Sequence, residues 1–249
     1  MSLASLKTGL HTSVRFNNKP PSAQTDLVDN TLIWTPTLIN ENSNDIKFQD
    51  GFDAWLQSWV NTTVNDNRRI TPNDASKVFT PAQLNADHTW RGVVRNDHNI
   101  AETDMWVEFV DSGNASSNLA ASPPSDTRLR VSAMSPGFTN IPNTGILGLW
   151  YQIVVRFKAA SNLLEVFVNG NDTGLSLTTT QTFVLQPTVT LMNTIGFTQG
   201  PDGGIAEFNT WTRRLKDNEI STDLTGSTFN GTNFIQSGGL KRKILLGLI

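Results

Sequence analysis

The sequence predicts an all-β protein, a two-sheet antiparallel β-sandwich of jelly-roll type with N- and C-terminal arms. Three observations carry this: short apolar runs of period two, turn-forming clusters between them, and almost no helical periodicity. The chain has 249 residues, enough for a substantial buried core. Only 16% of them are charged, against about 25% in an average globular chain. Uncharged polar residues make up the difference, with 30 Thr and 25 Asn. Seven Trp and thirteen Phe argue against disorder.

Residues 1–45 are polar and punctuated by Asn17-Asn18-Lys19-Pro20-Pro21 and Asn40-Glu41-Asn42-Ser43-Asn44, so they are expected to form an arm. Its one apolar stretch, Leu32-Ile33-Trp34, is expected to dock as a strand. Residues 46–223 are expected to form the sandwich. In 104–110, Met105, Val107 and Phe109 share one face, while Trp106 and Glu108 take the other. Leu129, Val131 and Ala133 alternate with Arg128, Arg130 and Ser132. The longest run is Leu149, Tyr151, Ile153, Val155 and Phe157, with Gln152, Arg156 and Lys158 opposite. Leu164, Val166 and Val168 follow, up to the turn signal Asn169-Gly170. Segments 112–118, 122–125 and 200–204 have loop composition. Arg213–Ile220 is the helix-like stretch, about two turns long. Residues 224–249 are expected to be a Gly/Ser/Thr/Asn-rich tail ending in Lys241-Arg242-Lys243 and the apolar Ile244–Ile249.

Composition also excludes chemistry. With no cysteine there are no disulfides, thiolate metal sites or cysteine nucleophiles. His11, His88 and His98 are too far apart for a His-rich metal signature. A net charge of -3 argues against nucleic-acid binding. No secretory signal is visible at the start. Ile244–Ile249 falls far short of the ~20 residues that span a bilayer, so no membrane insertion is expected. That tail is expected to pack on its own domain or on a neighbouring subunit.

Three pieces in family order resemble the concanavalin A-like lectin/glucanase superfamily, in its laminin-G-like and pentraxin-like branch. They are Trp150-Tyr-Gln-Ile-Val-Val-Arg-Phe157, Leu164-Glu-Val-Phe-Val-Asn-Gly170, and the closing Gly204-Ile-Ala-Glu-Phe-Asn-Thr-Trp211 with Leu215–Ile220. Residues 46–60 are similar to its early strand pair. The resemblance implies a two-sheet jelly roll but no single activity, because the fold hosts lectins, hydrolases, lyases and adhesion modules. Calcium is common in that branch, so Asp111, Asn114, Asn171, Asp172 and Asp202 are candidate oxygen donors, with no fixed spacing among them. No other cofactor is expected.

Laminarinase-type hydrolases of the superfamily carry closely spaced carboxylates on one strand. Here Asp104 and Glu108 would lie roughly 13 Å apart along a strand, beyond the ~5–9.5 Å that glycosidase pairs span. Glu102 and Asp104, about 7 Å apart, fall within the inverting range but point the same way off one strand, so neither reaches the opposite face of a sugar ring. No catalytic residue is therefore assigned, and a non-enzymatic protein is expected. A sugar-binding face would need aromatic platforms with polar side chains. Trp106, Glu108, Arg128 and Arg130 would form such a patch if their strands are neighbours, and Trp90 beside Arg91 is a second candidate. Low charge, abundant Thr and Asn and the two arms resemble bacteriophage tail, fibre and capsid-decoration proteins. The expected role is display on a virion surface, as a homo-oligomer among other virion structural proteins, with host-surface glycan as a ligand. The alternatives are a free-standing lectin module and, behind it, a glycoside hydrolase of the laminarinase type. Four Asn-x-Ser/Thr sequons, at Asn61, Asn114, Asn171 and Asn230, are discounted as chance in so Asn- and Thr-rich a chain.

Overall fold

The computed structural model describes residues 3–17, 23–37, 47–49, 54–57, 69–96, 106–112, 114–122, 129–133, 137–141, 148–179, 182–192 and 203–236. The first strands are β1 (Leu10–Arg15), β2 (Gln24–Thr25), β3 (Ile33–Thr37), β4 (Lys47–Gln49), β5 (Ala54–Gln57) and β6 (Arg69–Pro72). Next come β7 (His88–Asn96), β8 (Val107–Asp111), β9 (Asn114–Ser122), β10 (Leu129–Ala133), β11 (Gly137–Ile141) and β12 (Trp150–Lys158). The last are β13 (Leu163–Val168), β14 (Asn171–Thr178), β15 (Pro187–Leu191), β16 (Gly203–Trp211), β17 (Ser227–Phe229) and β18 (Phe234–Gln236). For β4, β5, β9, β10 and β11 only the backbone pairing is described.

Two sheets form, and the strand pairs described in both are antiparallel, as the sequence predicts. Sheet A runs β14-β13-β12-β7-β16-β5-β4, with β1 also paired to β16. Sheet B runs β11-β10-β9-β8-β15-β6-β3-β2. β17 and β18 make a separate hairpin. The segment expected as an arm thus supplies β1 to sheet A and β2 and β3 to sheet B. Leu32 and Trp34 are buried there, as the apolar triplet implies. The loop expected over 112–118 is instead largely strand: β9 begins at Asn114 and pairs with β8 from Asp111 to Val107.

Between the sheets, Tyr151, Ile153, Val155 and Phe157 of β12 meet Leu164, Val166 and Val168 of β13, as their alternation requires. Val107, Phe109, Val189 and Leu191 face them from sheet B. An aromatic chain runs through this core, with ring centroids 5.5 Å apart for Trp34–Phe208, 5.7 Å for Phe79–Phe109 and 6.2 Å for Trp90–Phe109. Each such pair is worth about 0.5–1.5 kcal/mol beyond its buried area.

The other face of sheet A is also covered along its central strands. Val154, Phe167 and Trp211 point outward into a second core closed by Leu6, Leu215, Ile220, Leu224, Phe229 and Phe234. This layer is built from the two ends of the described chain. Leu3–Lys7 forms a 3₁₀ turn and Glu219–Leu224 a π-helical one. The expected helix at Arg213–Ile220 therefore forms further along the chain. Its arginines act as clamps. Arg213 holds Glu219 through a fork of two 2.8 Å bonds and donates to the Ser5 carbonyl. Arg156 stacks 4.6 Å over Phe167 and bonds Glu165, which also accepts from Arg214.

Strand β16 carries a bulge between Ile205 and Glu207. Strict alternation from Ile205 would send Glu207 into the inter-sheet core; the extra residue turns it outward and lets Phe208 point in. The β13–β14 turn sits beneath the π-helical segment. At Gly170 (φ +85°) an added Cβ would run into Thr225 Oγ1 and stand 3.2 Å from the Ser221 carbonyl, whereas at Gly174 (φ +70°) it would meet nothing within 4 Å. Both Gly→Ala changes should cost about 1–2 kcal/mol for the left-handed backbone. Gly170→Ala should cost a further ~1–3 kcal/mol for overpacking. Equal losses in urea unfolding would contradict the packing of the terminal layer on this turn.

Candidate functional site

The residues expected to bind ligand are placed differently from one another. Trp106 is fully buried and belongs to the inter-sheet core, which corrects its expected outward position. The reason is local: β8 begins only at Val107, and the chain bends at Trp106, opposite Met192 with its φ of +63°. Alternation does not extend through a bend. Trp90 is also fully buried, facing the core beside Val155. Glu108 is on the outward phase of sheet B, in register with Thr190 and Ala120, yet only 3% exposed. Arg130 holds a register position on β10 opposite Ser122 of β9. Strand β9 therefore separates it from β8, so the two strands are not direct neighbours as that patch requires. Arg128, and the carboxylates Glu102 and Asp104, lie outside the described residues.

Of the candidate calcium donors, Asp111 accepts from the Val184 and Leu185 amides at 2.5 and 3.1 Å, and Asp172 accepts from Gly174 N at 2.8 Å. Both carboxylates fasten turns. Among the described residues no group of three or more His, Asp or Glu side chains is placed to hold an ion. Asp202 lies outside the described residues, and only the backbone is described at Asn114.

The most concentrated polar chemistry is buried on the outer face of sheet A. The fully buried Arg91 donates to Gln152 Oε1 (3.1 Å), Glu207 Oε2 (2.9 Å), Asn209 Oδ1 (2.8 Å) and the Ser227 carbonyl (2.8 Å). Thr228 donates to the second Glu207 oxygen, and Asn209 donates to Ser13 Oγ at 2.8 Å. Register brings them together: Arg91 stands opposite Asn209 across β7–β16, and the bulge adds Glu207. Burial works against the charge on Arg91 and Glu207 works for it. Because β17 covers the cluster, it presents nothing to an external ligand. It is a structural lock.

Exposed polar chemistry gathers instead at one rim of the sandwich, around the β2–β3 turn. Asp29 accepts from the Thr31 hydroxyl (2.6 Å) and amide (2.9 Å), and Lys77 lies 3.2 Å from it. Those contacts, Thr31 foremost, hold its carboxyl down to about 2. Asn73 reaches across from the end of β6, accepting from Ile33 N and donating to the Thr31 carbonyl. Asp74 caps the next turn through Ser76. Val28 and Ile33 add exposed aliphatic surface. A carboxylate, an amide, a hydroxyl and an ammonium are thus held in place beside an exposed apolar patch. The sequence reading missed this rim because it took 1–45 as an arm. The Asp29-Asn30-Thr31 and Asn73-Asp74 turn signals mark it.

Beneath the rim, Asp26 is buried, and its carboxylate accepts from Ser13, Val28 and Asp29 amides at 2.9, 2.8 and 3.1 Å. Burial raises its pKa to about 6 against those three bonds. It ties β1 to the turn that carries Asp29.

No protein-family model matches the chain, and no curated protein sequence does. Solved structures do. Trypanosoma rangeli sialidase aligns with a TM-score of 0.62 at 14% identity, over 88% of this chain and 33% of that one. A structure titled as a receptor binding domain aligns with a TM-score of 0.60 at 12% identity, over 88% of this chain and 51% of that one. Domain 4 of AbnA, a GH43 extracellular arabinanase from Geobacillus stearothermophilus, in complex with arabinotriose, aligns with a TM-score of 0.58 at 16% identity. That match covers 87% of this chain and 98% of the domain. The chain spans about a third of the sialidase's length. At such identities the likeness is one of fold alone, a two-sheet antiparallel β-sandwich. It also corrects the expectation of a non-enzymatic protein, because chains that share this fold belong to a sialidase and an arabinanase.

Two outcomes follow from the buried groups. Arg91→Met should lose about 3–5 kcal/mol in urea unfolding, since it strands Glu207 without its main partner, and Arg91→Met/Glu207→Leu should recover part of that loss. No recovery would mean that the guanidinium acts by packing alone. For Asp26 the folded pKa lies above the unfolded 3.8. Its stabilising contribution is therefore fully present below pH 3.8 and lost as pH rises through about 6. His88 is held down to about 4 by burial and works in the opposite sense. The difference in Tm between wild type and Asp26→Asn should therefore shift in favour of the variant as pH rises through that window. A constant difference would refute the assignment.

Proposed function

We propose that this chain is a carbohydrate-recognition β-sandwich that binds glycan at the rim formed by Asp29, Thr31, Asn73 and Lys77. The single observation behind this is the near-complete overlap with domain 4 of the arabinanase, a domain whose structure contains arabinotriose. Comparison with the sialidase points to the same ligand class, since that enzyme's structure was also obtained with sialic acid. The rim supports the reading chemically. Sugar hydroxyls both donate and accept, and here an ionised carboxylate and a lysine stand beside aliphatic surface that a sugar ring can cover.

Titration calorimetry of the full chain against arabino-oligosaccharides and sialylated glycans tests it. Binding should be detectable for at least one class. Thr31→Val and Lys77→Ala should each weaken it about tenfold, the size of one charge-assisted hydrogen bond. Both side chains are at the surface, so the melting temperature should hardly move. Failure to bind any member of the panel would overturn the proposal, and so would full affinity in both variants.

The likeness to a structure titled as a receptor binding domain supports a second reading, in which the sandwich meets a receptor; the low charge and abundant Thr and Asn add to it the inference that the sandwich is displayed on a virion. That reading calls for self-association. Light scattering should then give a defined oligomer for the full chain and a smaller species when 241–249 is removed. Identical monomers would count against it.

A further inference from the structure

Asn-Gly occurs twice in the chain, at Asn169-Gly170 and Asn230-Gly231, and the fold treats the two pairs in opposite ways. A glycine after asparagine offers a backbone nitrogen unshielded by any side chain, which is what an attack on the asparagine carboxamide needs. Asn169-Gly170 is buried. Asn169 Oδ1 accepts from Gln152 N at 2.9 Å, and Asn169 N donates to the Gln152 carbonyl at 2.8 Å. Gly170 lies against Ser221 and Thr225 of the terminal layer. The attack would have to displace all of these.

Asn230, Gly231, Thr232 and Asn233 form the turn of the β17–β18 hairpin, and all four are exposed. Gly231 has φ +92° with open space around it. The Asn230 side-chain oxygen accepts from Thr232 N at 2.9 Å and Asn233 N at 2.8 Å. Two donors on that oxygen draw electron density from Cγ and make it a better electrophile. Water and base have free access.

We propose that Asn230 is a site of spontaneous deamidation, while Asn169 is protected by the fold. The Gly231 nitrogen attacks Asn230 Cγ, so that a C–N bond forms and the Cγ–Nδ2 bond breaks. The Gly231 amide proton passes through solvent to the leaving nitrogen, which departs as ammonia and leaves a cyclic imide. Water then opens the imide at either carbonyl, yielding aspartate or isoaspartate. The balance is one water in and one ammonia out, with no oxidation, and the chain becomes one unit more negative than its formal -3. In the isoaspartate product the backbone runs through one extra carbon. That disrupts the Asn230 N–Asn233 O bond, 3.1 Å in the intact turn, and with it the hairpin that closes the second core through Phe229 and Phe234.

The test is to age the full-length protein, folded, in mildly alkaline buffer and to follow both Asn-Gly peptides by mass spectrometry. A parallel sample is aged in denaturant. The Asn230 peptide should gain the mass difference between an amide and an acid in the folded protein. The Asn169 peptide should convert at least about tenfold more slowly. In denaturant the two should convert at similar rates. Asn230→Ser should remove the early acidic species on charge-separating electrophoresis. The proposal is overturned if Asn169 converts as fast as Asn230 in the folded chain, if Asn230 stays intact, or if Asn230→Ser leaves the acidic species forming at the same rate.

Discussion

The fold depends on one constraint: along its central strands β12, β7 and β16, sheet A is covered on both faces. A sheet with one wet face can leave its outward residues to solvent; one with two dry faces must make every outward side chain either apolar or fully paired. Sheet A does both. Toward one side its outward phase is Val154, Phe167 and Trp211, which feed the second core. Toward the other it is Gln152, Arg91, Glu207 and Asn209, which satisfy one another and the backbone of β17. A guanidinium with no solvent exposure is tolerable only with such a set of acceptors around it. The amide nitrogen of Gln152 is left without a partner, a local cost at the edge of an otherwise paired cluster.

That lock also organises the chain ends. The terminal layer is held by Arg213 on Glu219, Ser5 and Thr8, by the indole of Trp211 on the Leu6 carbonyl, and by the hairpin's contact with Arg91 and Glu207. It therefore acts as part of the sandwich rather than as an appendage. With the chain's own residues over the central strands of sheet A, exposed polar groups of the described surface gather at turns such as the β2–β3 rim. Loops placed by a rigid scaffold are where binding residues ordinarily concentrate. Asp26 links the two regions, since its carboxylate joins a strand of sheet A to the turn that carries the rim.

The candidate site was less legible than the fold, and for a physical reason. Period-two alternation says which residues share a face, but not what lies over that face. Glu108 and Arg156 stand on the phase opposite the inter-sheet core, as alternation predicts, yet both are buried, Arg156 stacked over Phe167 and donating to the Leu215 carbonyl. Trp106 escaped the pattern because the strand starts one residue later. Glu207 entered the outward set only through a bulge, and a single inserted residue has no sequence signature here. The polar character of 1–45 concealed that Val14, Phe16, Leu32 and Trp34 are spaced to fill the main core.

The sequence by itself determined the all-β class, the strands around Tyr151–Phe157 and Leu164–Val168, and the hairpin turn between β13 and β14. These are local matters, set by alternation and turn chemistry within a few residues. It also determined that cysteine chemistry plays no part. Only the tertiary structure decided that the outward face of sheet A is dry over β12, β7 and β16 and that Arg91 pairs with a carboxylate 116 positions away. It also decided that the two Asn-Gly turns meet opposite environments. Those outcomes depend on which segments, distant in sequence, are laid over a given strand, and on side chains far apart in the chain satisfying one another's charge in a common buried space.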